Sequence, residues 1–298
     1  MGRDLADAFP AAQRTFALAD AALGERLSTL CFEGPADALT LTHNAQPALF
    51  VHGAAIWAVV GPAIGGRLRA AAGHSLGEFT AWHAVGALGL EDGVRLVRRR
   101  GELMYDTGIT QPGTMAAILG DPSEPIEQIC QRASVDPAGG LVVPANYNSP
   151  GQVVISGAVL GVQKAIEFAK AAGAKRAIQL NVTGAFHSPL MAPAREGLAA
   201  ALAELTLSSA VAPVYANCNA SPVSEASQAP KLLIEQLTSP VRWTETVERL
   251  ARDFPDALFV EMGPGTVLAG LVRKVAPQLR FQLGGTAADV RELLAMVS

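Results

Sequence analysis

The sequence has little charge and few rings. Only 17% of its residues are Asp, Glu, Lys or Arg and only 5% are aromatic. No segment therefore combines the basic and aromatic side chains that a nucleic-acid groove needs. Its three cysteines, Cys31, Cys130 and Cys218, lie far apart with no Cys-x-x-Cys pair. An odd, scattered set argues against a disulfide frame or a thiolate zinc site and fits buried thiols in a reducing compartment. Uninterrupted apolar runs are short, residues 54–60 among the longest, against the roughly 20 residues of a membrane helix. Residues 1–22 carry Arg3, Asp4, Asp7, Arg14 and Asp20, which break up the apolar stretch of a secretory leader. The expectation is a soluble, cytoplasmic protein that binds neither nucleic acid nor membrane.

What is present is apolar bulk. Half of the 298 residues are hydrophobic, enough for one large core or for a core with a smaller insert. Helical and strand-like segments alternate, which predicts an α/β fold with a mainly parallel sheet. Residues 45–60 read as an apolar helix, 67–72 as a short strand, and 76–88 and 91–105 as two helices. The texture then changes. Residues 114–119, 141–157 and 175–182 read as strands, with helices at 125–133 and 159–172. That order, β-α-β-β-α-β, predicts a ferredoxin-like subdomain over 114–185. It is inserted in a large α/β domain made of residues 1–113 and 186–298. Helices at 196–205 and 231–237 and a strand at 258–261 complete the large domain.

Gly73-His74-Ser75-Leu76-Gly77 fits the pattern G-x-S-x-G between a strand and a helix. A serine on such a sharp corner is lifted above the sheet, and glycines two residues either side let the backbone pass closely. The helix that follows aims its N-terminus, with the Leu76 amide, at a developing oxyanion. The neighbouring His74 points elsewhere on such a turn and reads as structural. A serine nucleophile needs a base. His52 and His83 lie in apolar helical segments and His43 precedes a helix, whereas His187 follows a strand and precedes Pro189, in the kind of loop where catalytic groups collect.

Helical spacing separates four arginines. Arg95 and Arg99 share a polar stripe with Glu102 and Asp106, while Arg100 shares an apolar one with Leu96 and Leu103. An unpaired guanidinium there would be costly. Two readings stand: Arg100 pairs with a buried carboxylate of the protein, or it awaits one on a substrate, which its planar fork can grip twice.

Taken together these residues resemble the malonyl-CoA:acyl carrier protein transacylases and the acyltransferase domains of fatty-acid and polyketide synthases. The resemblance runs over nearly the whole chain. It is carried by Gly73-His74-Ser75-Leu76-Gly77-Glu78, by Arg100-Gly101 with Met104, and by Asn146-Tyr147-Asn148-Ser149-Pro150-Gly151-Gln152-Val153-Val154-Ile155-Ser156-Gly157. Gly184-Ala185-Phe186-His187-Ser188, Ser239-Pro240-Val241-Arg242-Trp243 and Glu261-Met262-Gly263-Pro264-Gly265 complete it.

The resemblance implies an α/β-hydrolase-like large domain with the ferredoxin-like insert. It implies an acyl-enzyme on Ser75, with His187 as base and the backbone carbonyl of Arg242 accepting from its other ring nitrogen. Arg100 would hold the malonyl carboxylate, and Phe186 would go with malonyl rather than methylmalonyl choice. Malonyl-CoA and acyl carrier protein would be the partners in ping-pong turnover, with the coenzyme A thioester as substrate and no tightly bound cofactor or metal. Family members open on a strand ending in Gly-Gln-Gly-Ser-Gln, ahead of a segment like Met1-Gly2-Arg3-Asp4-Leu5. Its glutamine would supply the second oxyanion amide, so the sequence as written is expected to be handicapped, most simply through a start assigned too far downstream. Two competing functions remain at this point, a serine esterase or thioesterase, which has no use for Arg100, and an inactive module that binds a carrier protein.

Overall fold

The computed structural model describes residues 1–297. In chain order its strands are β1 (Ala71–Ala72), β2 (Gly113–Leu119), β3 (Val142–Ser149), β4 (Gln152–Ala158), β5 (Arg176–Gln179), β6 (Val214–Tyr215), β7 (Pro222–Val223), β8 (Leu258–Glu261) and β9 (Arg280–Leu283). Helices fill the intervals, giving a mixed α/β fold.

The apolar stretch near residue 50 forms the helix Thr42–Ile64. Pro47 lies inside it and has no N–H to give the carbonyl of His43. That carbonyl is taken instead by Arg98 Nη1 at 2.5 Å, which ties the helix to its neighbour Leu90–Thr110. The neighbour carries glycines at 93, 101 and 108 on one face, and each marks a close approach. A methyl group at Gly93 would stand 2.3 Å from the Phe50 ring, at Gly101 2.6 Å from the His43 Cα, and at Gly108 2.2 Å from the Thr183 carbonyl oxygen. These two helices, with Pro10–Leu23, Gly77–Ala84 and Ala192–Ala203, enclose the main core around Phe50, Ile56, Phe79 and Trp82. By length and composition alone Thr42–Arg67 is long and apolar enough to cross a membrane, its most apolar 18-residue window having a mean hydropathy of 1.7. Uninterrupted runs concealed this, because Pro47, His52 and Gly53 divide them. Half of that window is buried inside the protein, with Phe50, Val51, Ile56 and Val60 among the core residues of the helix.

The parallel sheet differs from the sequence expectation. It lies in two pieces: β1 pairs parallel with β6, which pairs antiparallel with β7, and β8 pairs parallel with β9. The strand expected at 67–72 shrinks to β1 because Gly65–Arg67 still turns as 3-10 helix. The helix expected over 76–88 stops at Ala84, where Gly86 takes a φ of 81° and the Ala87 and Leu88 amides return to the Trp82 carbonyl.

Residues 113–179 form the β-α-β-β-α-β succession, with strands in the spatial order β3-β4-β2-β5, all antiparallel. Helices Ile126–Val135 and Val159–Ala171 cover it over a separate core that includes Ile118, Ile129, Ile155 and Val162. This sheet is not isolated from the rest. Val241 N donates to the Ala145 carbonyl at 2.8 Å and Tyr147 N to the Val241 carbonyl at 2.9 Å, so β3 is pinned to the segment 239–243.

The glycine face of Leu90–Thr110 generates the first prediction. Gly101→Ala meets backbone rather than a movable side chain and should destabilise the protein by about 1–3 kcal/mol in urea unfolding. An unchanged midpoint would show that the two helices can move apart freely.

Candidate functional site

Gly73 and Gly77 play unequal parts in the corner. A methyl group at Gly73 would stand 1.9 Å from the Gly77 carbonyl carbon, whereas one at Gly77 meets nothing within 4 Å. The expectation that both glycines are needed for space is therefore corrected: only the first is. Between them Ser75 holds φ at 51°, a left-handed conformation that costs a non-glycine residue about 1–3 kcal/mol. The amides of Gly77, Glu78 and Phe79 are satisfied by the carbonyls of His74, Ser75 and Leu76. The Leu76 N–H is left as the free donor at the head of the helix Gly77–Ala84.

Asn217 braces the corner from behind. Its Oδ1 accepts from Ser75 N at 2.7 Å and its Nδ2 donates to the Gly73 carbonyl at 2.7 Å. His74 turns away from Ser75, as expected of a structural residue: its Nε2 pairs with Asn148 Oδ1 at 2.7 Å and its ring meets Trp243 edge-on.

His187 comes to Ser75 from the segment after β5. It too is left-handed, with φ at 57°, and it is buried. Ser188 fixes the segment by donating to the Ala185 carbonyl and accepting from Leu190 N. His187 Nε2 lies 2.7 Å from Ser75 Oγ, and its Nδ1 lies 2.9 Å from a backbone carbonyl. A carbonyl only accepts, so Nδ1 carries the ring proton and the lone pair of Nε2 faces the serine hydroxyl.

That carbonyl belongs to Gln236, which corrects the expectation of Arg242. The Arg242 carbonyl is already occupied by the N–H and Oγ1 of Thr246, in the first turn of the helix Trp243–Asp253. The side chain of Arg242 is paired with Glu245. Burial, helped by the charge of Arg100, lowers the His187 pKa to about 3, so the imidazole is neutral.

Arg100 lies against the same serine, 1% exposed. Its Nη1 donates to Gln46 Oε1 at 2.5 Å, and its Nη2 donates to Gln236 Oε1 at 2.9 Å and Ser75 Oγ at 3.2 Å. Its Nε has no partner, and among the described residues no carboxylate forms an ion pair with it. The Phe79 ring lies beneath the guanidinium, 5.3 Å from ring centre to Cζ. Burial lowers its pKa to about 10, which leaves it charged at neutral pH. The buried carboxylate Glu78 sits one relay away: Gln236 Nε2 donates to Glu78 Oε2 at 2.8 Å and to the Ser75 carbonyl at 3.0 Å. Phe186 is half-buried, packed against the main core and against a small cluster of Met115, Ala145 and Val154, with its ring against Gly184. No group of three or more metal-ligating side chains occurs among the described residues.

Ser75, Leu76, His187 and Arg100, named from the sequence, thus lie around one corner, and Phe186 precedes His187 on the segment that reaches it. Gln46, Glu78, Asn217 and Gln236 were missed as members of the site. Glu78 carried a signal, since it lies three residues beyond Ser75 and so falls on the same side of the first helical turn. The two glutamines and Asn217 come from distant segments with no pattern of their own.

Two predictions follow from this geometry. Gly73→Ala should destabilise the protein by more than about 3 kcal/mol, whereas Gly77→Ala should fold normally; equal Tm values would refute the contact. The second concerns acid. His52 and His187 have pKa values lowered by burial to about 4 and about 3, and His74 and His83 are lowered too. The unfolded chain takes up these protons first, below the ordinary value of 6.5, so stability is lost as pH falls through that window. The raised pKa values of Glu78 and Glu261 act in the opposite direction but are fewer. Unfolding free energy should drop by about 2 kcal/mol from neutral pH to about pH 5; a rise would contradict the neutral imidazoles.

A family model described as the acyl transferase domain matches residues 1–290. The malonyl CoA-acyl carrier protein transacylase of Bacillus subtilis (strain 168) is 45% identical over 280 residues, covering 94% of this chain and 87% of its own. That of Escherichia coli (strain K12) is 39% identical over 295 residues, covering 99% and 92%. Among solved structures, the acyl-carrier-protein S-malonyltransferase of Bartonella henselae matches with a TM-score of 0.94 at 38% identity, over 100% of this chain and 94% of that one. Another, at 0.92 and 38% identity over 99% and 94%, is a malonyl-transacylase solved in complex with its type II PKS acyl-carrier protein. With a serine, a neutral imidazole and a buried guanidinium around one strained corner, the chain belongs to the acyl transferase family, alongside the malonyl CoA-acyl carrier protein transacylases, and is an acyltransferase.

Proposed function

We propose that the chain moves a malonyl group from malonyl-CoA to the phosphopantetheine thiol of acyl carrier protein through an ester on Ser75. The neutral Nε2 of His187 takes the Ser75 proton as Oγ attacks the thioester carbonyl. The oxyanion forms at the Leu76 N–H. As the C–S bond breaks, His187 returns the proton to the departing coenzyme A thiolate. The carrier thiol then loses its proton to the same nitrogen, attacks the ester, and leaves Ser75 reprotonated. One cleft serves both thioesters in turn, which is ping-pong chemistry.

The observation that carries this reading is Arg100: a buried guanidinium 3.2 Å from the serine hydroxyl, held only by neutral oxygens. An esterase for simple acyl groups would have no reason to bury such a charge beside its nucleophile, since Glu78 stands off behind Gln236 and only an arriving carboxylate could pair with the guanidinium directly. Phe186 fits a role in favouring malonyl over the bulkier methylmalonyl group. The separate core over 114–185 supports a ferredoxin-like subdomain set into a large domain of residues 1–113 and 186–298. No tightly bound cofactor is needed, because the acyl group arrives already activated as a thioester. The setting we infer is cytoplasmic.

Intact-protein mass spectrometry after mixing with malonyl-CoA should give a malonyl adduct on Ser75, absent in Ser75→Ala. His187→Ala should lower transfer by about 10²–10⁴-fold. Arg100→Ala should lower kcat/KM for malonyl-CoA by about 10²-fold or more while sparing acetyl-CoA in comparison. Equal losses on both thioesters would remove the carboxylate-binding role, and an adduct that survives Ser75→Ala would remove the mechanism.

A further inference from the structure

The proposed transfer makes no use of the one buried carboxylate beside it. Glu78 is 0% exposed and lies one helical turn beyond Ser75. Its Oε2 accepts from Asn217 N at 3.0 Å and from Gln236 Nε2 at 2.8 Å. The other oxygen, Oε1, has no hydrogen-bond partner, and the Trp82 indole, also without one, stabilises it only weakly. Desolvated ions of opposite charge normally touch, because each lacks water to stabilise it. Here they do not. The Gln236 amide stands between them, donating to Glu78 and accepting from Arg100. Arg100 thereby keeps a counter-charge close by, yet no carboxylate covers the guanidinium.

An incoming acyl carboxylate would be the third charge in this interior. It would be drawn to Arg100 and repelled by Glu78 through the same poorly screened medium. A neutral acyl group feels neither force. Resting on the malonyl-transfer reading, we propose that Glu78 is a positioning residue acting through Arg100, whose negative charge sets how strongly the site prefers an acyl group bearing a carboxylate. Ionised, it opposes that carboxylate; protonated, it leaves Arg100 to hold the carboxylate alone.

The groups that face this cluster are Arg100 from the helix Leu90–Thr110, His187 from the loop after β5, His74 from the corner itself, and Cys218 beside Asn217. Burial holds His187 at about 3, lowers His74, keeps Arg100 at about 10 and pushes the Cys218 thiol up to about 12. Burial raises Glu78 itself to about 7, against the hydrogen bonds from Asn217 and Gln236 and the charge of Arg100. Of these five groups, only Glu78 changes charge near neutrality.

The test is the ratio of kcat/KM for malonyl-CoA to that for acetyl-CoA, followed from about pH 6 to about pH 8 in wild type and Glu78→Gln. Taking the ratio cancels effects on His187, which serves both substrates. The wild-type ratio should fall by about tenfold as pH rises, the size of one charge–charge interaction across a partly screened interior. In Glu78→Gln the ratio should be flat and at or above the wild-type value at low pH. A wild-type ratio that is flat or rises, or a Gln variant with a lower ratio than wild type at high pH, overturns the proposal. Should the variant fail to fold by circular dichroism, the wild-type profile alone decides. The Ser75 adduct is measured first. Its absence in wild type brings down the transfer reading and this proposal with it, whereas an adduct with an unmoving ratio overturns only the role of Glu78.

Discussion

Gln236 touches every charged or reactive group of the site. Its side-chain oxygen accepts from Arg100, its side-chain nitrogen donates to Glu78 and to the Ser75 carbonyl, and its backbone carbonyl holds His187. An amide can do this because it carries donor and acceptor at once, and here the surroundings fix which way it points. Turned over, its nitrogen would face the donors of Arg100, while its oxygen would face the Glu78 carboxylate and the Ser75 carbonyl. The glutamine therefore keeps two opposite charges apart and orients the imidazole, all from the C-terminal end of one short helix, Ala229–Gln236.

Strain at the site is held in place by packing elsewhere. Ser75, His187 and Ala220 are the non-glycine residues with positive φ among those described, and two of the three face each other across a 2.7 Å hydrogen bond. Each such conformation persists only where neighbours over-determine it. For Ser75 these are the Gly73 backbone against Gly77 and the double clamp of Asn217. For His187 they are Gly108 beneath Thr183, Ser188 on the Ala185 carbonyl, and the Gln236 carbonyl itself.

The antiparallel sheet contributes to the corner without supplying a reacting group. Asn148 on β3 holds His74, and the Val241 link ties β3 to the segment that continues, through Arg242 N, to the carbonyl of Asn217. Asn217 in turn braces Ser75. The antiparallel sheet thus reaches the serine corner through hydrogen bonds as well as through the apolar contacts of Phe186. Such bonds have direction, and they set the angle of a corner more sharply than non-directional apolar contact would.

Local pattern was enough for much of this. Alternating helical and strand-like segments gave the α/β class, the change of texture near residue 114 marked the antiparallel sheet, and the spacing of four arginines turned Arg100 inward. Gly73-His74-Ser75-Leu76-Gly77 announced its corner because a tight turn is written in neighbouring residues. The Arg242 carbonyl was a wrong choice for a matching reason: a backbone oxygen leaves no trace in sequence, and whether it is free depends on where a helix starts. The network of Gln46, Glu78, Asn217 and Gln236 was equally hidden. Its members are separated by up to 190 positions, from 46 to 236, and meet only after the helices and sheets have packed. The chain by itself determined which reactive groups it offers and which corner presents the serine, because residue type and turn geometry are local properties. The tertiary structure alone decided which oxygens, charges and amides surround them, because that is a matter of distance between parts of the chain that share no local rule.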